Sequence, residues 1–216
     1  MTIPAIASYD MPAAPVSNRV NWRPSSDRAA LLIHDMQGYF LDKFDMSQAP
    51  IPQLINTVAR LKAVCVAAGV PVYYTAQPID QPDGDRALLN DFWGPGLTAE
   101  QFHSRQPIID ELAPQGNDVV LTKWRYSAFQ RSDLRERLKQ SGRDQLIICG
   151  IYAHIGCMAT ALEAFMQDVQ AFMVIDGVAD FSAAQHDMAT HYVAQRCGVS
   201  LTAAEVVAAL DAGAQK

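Results

Sequence analysis

Apolar runs of strand length alternate along this chain with longer amphipathic stretches. Ala29 to Asp35, Val70 to Gln77, Val119 to Lys123, Leu146 to Ile151 and Phe172 to Asp176 form five such runs, and Val199 to Thr202 a shorter sixth. Several are apolar on both faces, as strands covered from both sides are. Between the first two runs, Ile51, Leu54, Ile55, Val58, Leu61, Val64 and Cys65 fall at three- and four-residue steps, and Gly69 follows as a stop. That spacing predicts an amphipathic crossover helix. Further helices are expected from near Ser132, from near Gly156 with Met158, Leu162, Phe165 and Met166 inward, and from Ser182, where Gln185 completes a capping box. Strand and helix in alternation predict an α/β fold, a three-layer α-β-α sandwich around a mostly parallel sheet of about six strands. Right-handed crossovers then put a site at the carboxyl ends of the strands.

Outside this pattern, residues 1–28 carry repeated prolines and no helical period, the mark of an extended strap over a domain spanning 29–210. An alanine-rich stretch from Ala208 runs into a tail, 211–216. The segment Pro78 to Leu97 is long for a strand-to-helix connection, is rich in turn residues and holds Arg86, Trp93 and Gly94-Pro95-Gly96, so it reads as a lid.

Composition narrows the partners. The 216 residues suit one domain with a sizeable core, and 50% hydrophobic with 19% charged residues argues against disorder. A net charge of −6 disfavours nonspecific nucleic-acid binding while leaving room for a locally basic pocket. Cys65, Cys149, Cys157 and Cys197 lack metal-ligand spacing and are expected as free thiols in a reducing compartment. The start, MTIPAIASYDMPAAP, has no charged n-region or long apolar run of a secretory signal, and no stretch reaches the ~20 apolar residues of a membrane span. The expectation is a cytoplasmic protein with neither nucleic acid nor membrane as partner.

Three polar residues end three of the strands: Asp35, Gln77 and Lys123. A carboxylate at a buried strand end is raised in pKa by burial and lowered by a nearby lysine. Taken alone, Asp35 fits a turn cap as well as a catalytic group, and Lys123 fits a structural ion pair as well as a functional one. Arg125 reads as helix packing or surface pairing, and His154 as a satisfied structural histidine. His103, His186 and His191 read as solvated, and Asp176 and Asp180, flanking Gly177, as turn residues.

The strings His34-Asp35-Met36-Gln37, Tyr74-Thr75-Ala76-Gln77-Pro78, Asp91-Phe92-Trp93-Gly94-Pro95-Gly96, Lys123-Trp124-Arg125-Tyr126-Ser127-Ala128-Phe129 and Tyr152-Ala153-His154-Ile155-Gly156, in this order, resemble the isochorismatase-like hydrolase superfamily over nearly the whole chain. In that superfamily's cysteine hydrolases a glycine ends a strand and the nucleophilic cysteine opens a helix six positions later. Six positions from Gly150 stands Gly156, and Cys157 is one place late, rotated about 100° on a helix. The triad positions are Asp35, Lys123 and Gly156, two of them matching and the third without a nucleophile. The resemblance is therefore to the siderophore and phenazine branch that lacks the catalytic cysteine.

That branch implies a Rossmann-like fold and hydrolysis of isochorismate to 2,3-dihydro-2,3-dihydroxybenzoate and pyruvate, with no metal or organic cofactor. Protonating the vinyl ether needs one positioned general acid, for which Asp35 is the candidate. The small-molecule substrate is a dicarboxylate, so Lys123 and Arg86 are its cationic partners, and the backbone amides of Tyr152 and Gly156 lie at an oxyanion-type helix start. Gln77 is expected to bind an enolpyruvyl carboxylate or hydroxyl, and Trp93, Phe40 and Tyr39 to wall the ring, although core packing explains the aromatics equally well. A non-proline cis peptide is expected at Ile151–Tyr152. The resemblance also implies a homo-oligomer, and siderophore synthetase or carrier-protein partners. The alternatives are hydrolysis of 2-amino-2-deoxyisochorismate in phenazine biosynthesis and, from another class, a non-catalytic docking module of a siderophore synthetase.

Overall fold

The structure, a computed structural model, describes residues 3–12 and 14–213. Six strands form one parallel sheet: β1 (Ala29–His34), β2 (Val72–Ala76), β3 (Val119–Thr122), β4 (Gln145–Ile151), β5 (Gln170–Ala179) and β6 (Gly198–Leu201), in the order β3-β2-β1-β4-β5-β6. The direction of crossover reverses between β1 and β4. That reversal opens a crevice at the carboxyl ends of the two strands, which is where parallel sheets of this kind hold ligands.

Helices cover both faces. A short α1 (Gly38–Leu41) follows β1 and α2 (Ile51–Ala67) makes the first crossover; α3 (Asp83–Arg86) and α4 (Leu89–Trp93) lie in the long segment after β2. The remaining helices are α5 (Leu134–Gln140), α6 (Met158–Met166), α7 (Ala183–Arg196) and α8 (Ala203–Gly213). Alternate residues of β1 feed two separate cores: Leu31 and Ile33 pack with α2 and α8, whereas Ala30 and Leu32 pack with α5, α6 and α7. The period-2 alternation of side chains places His34 on the second face, under the start of α6.

In α2 the residues at the expected spacing are the buried ones, Ile51, Leu54, Val58, Leu61 and Cys65, and Gly69 ends it with φ +69°. The Ser182 hydroxyl accepts a hydrogen bond from the Gln185 backbone N–H at 3.3 Å, one half of the expected capping box, while the Gln185 side-chain oxygen meets the Ser182 hydroxyl at 3.2 Å and not its backbone N–H.

Four expectations fail. The fully buried face of α6 is Thr160, Ala161 and Ala164, small residues that let it sit close to the sheet; Met158 and Leu162 pack half-buried against the same core, whereas Phe165 and Met166 are exposed. β5 continues through Asp176 and Gly177 to Ala179, so these residues lie within a strand rather than in a turn. There the pairing with β4 shifts register, which lets the strand carry the polar residue onward. His186 is not solvated: it is buried, with Nε2 2.9 Å from the Ile175 carbonyl and Nδ1 3.1 Å from the Tyr9 hydroxyl. Finally, α8 extends through Ala208 to Gly213, so the alanine-rich stretch is helical that far; the end of the expected tail, 214–216, lies outside the described residues.

The proline-bearing N-terminal segment is extended and tied down at points, with Ile6 N donating to the Lys43 carbonyl and Tyr9 N to that of Ala49. The four cysteines are free and buried. Among the described residues, no helix is long and apolar enough to cross a membrane.

Candidate active site

The chain leaves β1 through Asp35, whose φ of +50° lies in the left-handed region that non-glycine residues seldom occupy. That turn costs about 1 kcal/mol or more and aims the carboxylate into the crevice. Lys123, at the end of β3, reaches across β2 to meet it, with Nζ 2.8 Å from Asp35 Oδ2 and both side chains buried. The Thr75 hydroxyl on β2 donates to Asp35 Oδ1 at 2.5 Å and accepts from the Asp35 amide at 3.1 Å. Burial pushes the carboxyl upward, but the Lys123 ammonium and the neighbouring His34 outweigh it and hold Asp35 well below the usual carboxylate range. Of the two opposing influences expected from the sequence, the lysine wins.

A cavity rises from this pair, with about 560 Å³ of space between its walls when the open solvent at its mouth is counted. Asp35, Lys123 and Gly156 lie on its inner wall; Gln77, Tyr152, Tyr39 and Phe40 flank them; Arg86 and Trp93 come down from the Pro78–Leu97 segment. All nine residues singled out in the sequence are thus gathered around one space. The Gln77 backbone is held in both directions by the Gln37 amide, which donates to its carbonyl at 3.0 Å and accepts from its N–H at 2.7 Å. Tyr152 donates its hydroxyl to the Phe40 carbonyl at 2.8 Å, and its ring sits edge-on to Phe40 and Phe181. The Ile151–Tyr152 peptide is cis.

Beyond β4 the chain takes a π-helical turn, Ala153–Cys157, before α6. Gly156 faces the cavity, while Cys157 is fully buried among Leu32, Ala161 and Val193 on the far core face, where burial raises its thiol well above the ordinary value. The one-residue displacement therefore removes the thiol from the site. His154 is satisfied as expected: its Nδ1 meets the buried Asp180 carboxylate at 2.5 Å, and Asp180 also accepts from the His154 and Phe181 amides.

Arg86 is 3% exposed. Its Nε donates to the Gly94 carbonyl at 2.8 Å and its Nη1 to Gln81 Oε1 at 3.2 Å, so part of the guanidinium fork is spent on the lid itself. A Cβ at Gly96 would stand 2.7 Å from Arg86 Nη2, which explains why the Gly-Pro-Gly string ends in glycine.

Arg125 corrects its sequence reading. It lines the cavity, with Nη1 donating to the Asp85 and Trp124 carbonyls at 2.7 Å each. Neither Arg86 nor Arg125 has a carboxylate partner among the described residues. Its place two residues after Lys123 was the available signal. Phe181, Ile155, Leu89 and Ile3 also reach the cavity, and nothing local in the sequence marks them. His34 and Gln37, both fully buried beside Asp35, were visible only as parts of a string.

Comparison with known proteins places the chain as a whole. The isochorismatase domain model matches residues 29–205. The chain is 55% identical over 203 residues to the isochorismatase of Bacillus subtilis (strain 168), covering 93% of this chain and 64% of that one. It thus spans less than two thirds of that relative. It is 52% identical to enterobactin synthase component B of Escherichia coli (strain K12), covering 92% of this chain and 70% of that protein. To phenazine biosynthesis protein PhzD of Pseudomonas fluorescens it is 46% identical, covering 95% and 98%. A solved structure of an isochorismatase family protein from Burkholderia thailandensis superposes with a TM-score of 0.75 at 28% identity, covering 91% of this chain and all of that one. The family match spans the strands, the lid and the Gly150–Gly156 turn that build the cavity, and the chain belongs to the isochorismatase family.

Proposed function

We propose that this protein hydrolyses the enolpyruvyl ether of isochorismate to 2,3-dihydro-2,3-dihydroxybenzoate and pyruvate, in the supply of a catecholate siderophore. One observation carries the reading. Asp35 neutralises Lys123, so Arg86 and Arg125 leave the cavity two positive charges in excess, the number that a dicarboxylate brings. A buried guanidinium without a counter-ion is costly in the empty site and gains most from an anionic ligand.

The chemistry then follows from Asp35. In the empty site Lys123 keeps it ionised. Two substrate carboxylates entering beside it oppose the lysine's influence and favour the protonated acid. Asp35 delivers its proton to the terminal methylene carbon of the vinyl ether. Water adds to the resulting oxocarbenium carbon and returns a proton to the Asp35 carboxylate. The hemiketal collapses, releasing the ring alcohol and pyruvate. Gln77 and the backbone amides of Tyr152 and Gly156 bind carboxylate or hydroxyl oxygens, while Tyr39, Phe40 and Trp93 wall the ring and exclude water. The reading extends to a cytoplasmic, self-associating enzyme working beside siderophore synthetase or carrier-protein partners. The similarity to enterobactin synthase component B of Escherichia coli supports that setting.

The test is pyruvate release from isochorismate, chorismate and 2-amino-2-deoxyisochorismate by wild type, Asp35→Asn and Cys157→Ala. Release from isochorismate should survive loss of Cys157 and fall about 10³-fold without the Asp35 acid, within the usual range for a general acid. Dependence on Cys157 would overturn the mechanism. Preference for the amino substrate would establish the second reading, phenazine chemistry, which the 46% identity to PhzD supports.

A further inference from the structure

Gly150 and Gly156 both press on His34. Gly150 is its register partner on β4, and a Cβ there would lie 2.2 Å from the His34 carbonyl oxygen. A Cβ on Gly156 would lie 2.1 Å from Cε1 of the ring and 2.9 Å from each ring nitrogen. The five residues between the two glycines thus lead the chain from the His34 backbone to its ring. Its ring is fully buried, with Nδ1 3.1 Å from the Ile151 carbonyl oxygen and 3.4 Å from Asp35 Oδ2. Nε2 lies 3.4 Å from the Thr160 hydroxyl, which itself donates to the Gly156 carbonyl at 2.7 Å. A carbonyl can only accept, so the Ile151 contact puts the ring proton on Nδ1. Burial, and then the Lys123 charge, lower the His34 pKa and keep the imidazole neutral.

We propose that His34 is a positioning residue that fills the side-chain space of position 156, closing it to every side chain, a nucleophile included, while its Nδ1–H ties the end of β4 to the Asp35 carboxylate. The missing nucleophile is then half of a paired exchange. Gly156 can gain a side chain only if His34 gives up its ring, so restoring a thiol by Gly156→Cys alone cannot put sulfur in the cavity.

Asparagine and leucine separate the two roles. Both are branched at Cγ and lack atoms at the places of Cε1 and Nε2, so either removes the 2.1 Å contact and leaves only the one near Nδ1; only asparagine keeps a donor there. Gly156→Ala should lower the melting temperature by about 5 °C or more in the wild type, as overpacking against a fixed ring does. Combined with His34→Asn or His34→Leu, it should cost less than about half as much. Gly156→Cys with His34→Asn should add one iodoacetamide-reactive thiol, read by intact mass, that Gly156→Cys alone does not show. Equal cost of Gly156→Ala in all three backgrounds, or equal alkylation with and without the ring, would overturn the spatial claim.

The positioning claim rests on the function proposed above and is read in kcat. His34→Asn should stay within about threefold of wild type, whereas His34→Leu should lose about tenfold or more with KM changed by less than about threefold, the signature of lost alignment. Equal kcat for the two variants would overturn it. If no variant and no wild-type sample releases pyruvate, the proposed function fails, and the melting and alkylation results still decide the spatial claim.

Discussion

The floor and the roof of the cavity are built on opposite principles. The floor hangs from three strand ends, and each group is held by a backbone inside the sheet: Asp35 after β1, Thr75 within β2, Lys123 after β3. Its charges cancel at 2.8 Å. The roof is two short helices in an irregular segment, held by side-chain hydrogen bonds: Arg86 on the Gly94 carbonyl, Arg125 on the Asp85 carbonyl, and Trp93 on the Tyr126 hydroxyl. Its charges do not cancel. A self-neutralised floor built into the sheet suits the step in which a proton moves, and an uncompensated roof tied by side chains suits recognition and release of an anion. Changes to the floor should therefore appear in kcat, and changes to the roof in KM.

The largest effect after loss of the acid itself is expected from Lys123→Met. It leaves Asp35 buried without its counter-charge, which costs about 3–5 kcal/mol of stability and about 10²-fold or more in kcat. It should also invert a pH dependence. In the wild type the folded-state pKa of Asp35 is depressed, so its contribution to stability is complete above the ordinary carboxylate value near 4 and is lost as pH falls through the folded-state value. Without the ammonium, burial dominates and the folded-state pKa is raised. Stability should then decline as pH rises past about 4. Urea midpoints measured across the acid range would show opposite slopes for the two proteins, and parallel slopes would mean that the pair does not couple.

That contrast also explains what the sequence makes legible. Strand ends announce themselves as positions: an apolar run stops at a polar residue, which marks Asp35, Gln77 and Lys123, while the resemblance supplies the roles of Asp35 and Lys123. Gly156 required the resemblance, because the signal there is a missing side chain. The roof was half legible. Arg86 stands out as a cation in a turn-rich segment, but Arg125 looks like any arginine before a helix, because its orientation depends on the Asp85 carbonyl 40 positions away. Phe181 reaches Tyr152 and Trp93 only because β5 runs three residues longer than its apolar run, and the register shift that permits this has no local signature. The inward face of α6 was misread in part, for a related reason. Large apolar residues usually face a core, but close approach of a helix to a sheet selects Thr160, Ala161 and Ala164 instead.

Arg86→Lys and Arg125→Lys sharpen the comparison at intermediate size. Each keeps the charge and removes the planar fork, so KM for the dicarboxylate should rise by about tenfold while kcat changes less than about threefold. Arg86 should show the larger rise because it is the more buried. Initial rates at varied substrate separate the constants. A fall in kcat with unchanged KM would move the arginine from recognition into the chemical step, and the division between floor and roof would then fail at that residue.

The smallest effect belongs to the Trp93–Tyr126 contact, whose 2.8 Å hydrogen bond joins the lid to the segment after Lys123 at a partly exposed position. Tyr126→Phe deletes only the hydroxyl, and an exposed neutral hydrogen bond contributes about 0.5 kcal/mol, so KM should rise about twofold while melting temperature falls by no more than about 2 °C and kcat is unmoved. The value of this variant lies in its kinetics. If the contact is a latch that opens in each cycle, weakening it should speed substrate entry and product release in rapid-mixing experiments even as affinity falls. If the lid is instead a fixed wall, both association and dissociation should be unchanged, and the roof would have to be regarded as being as firmly held as the floor.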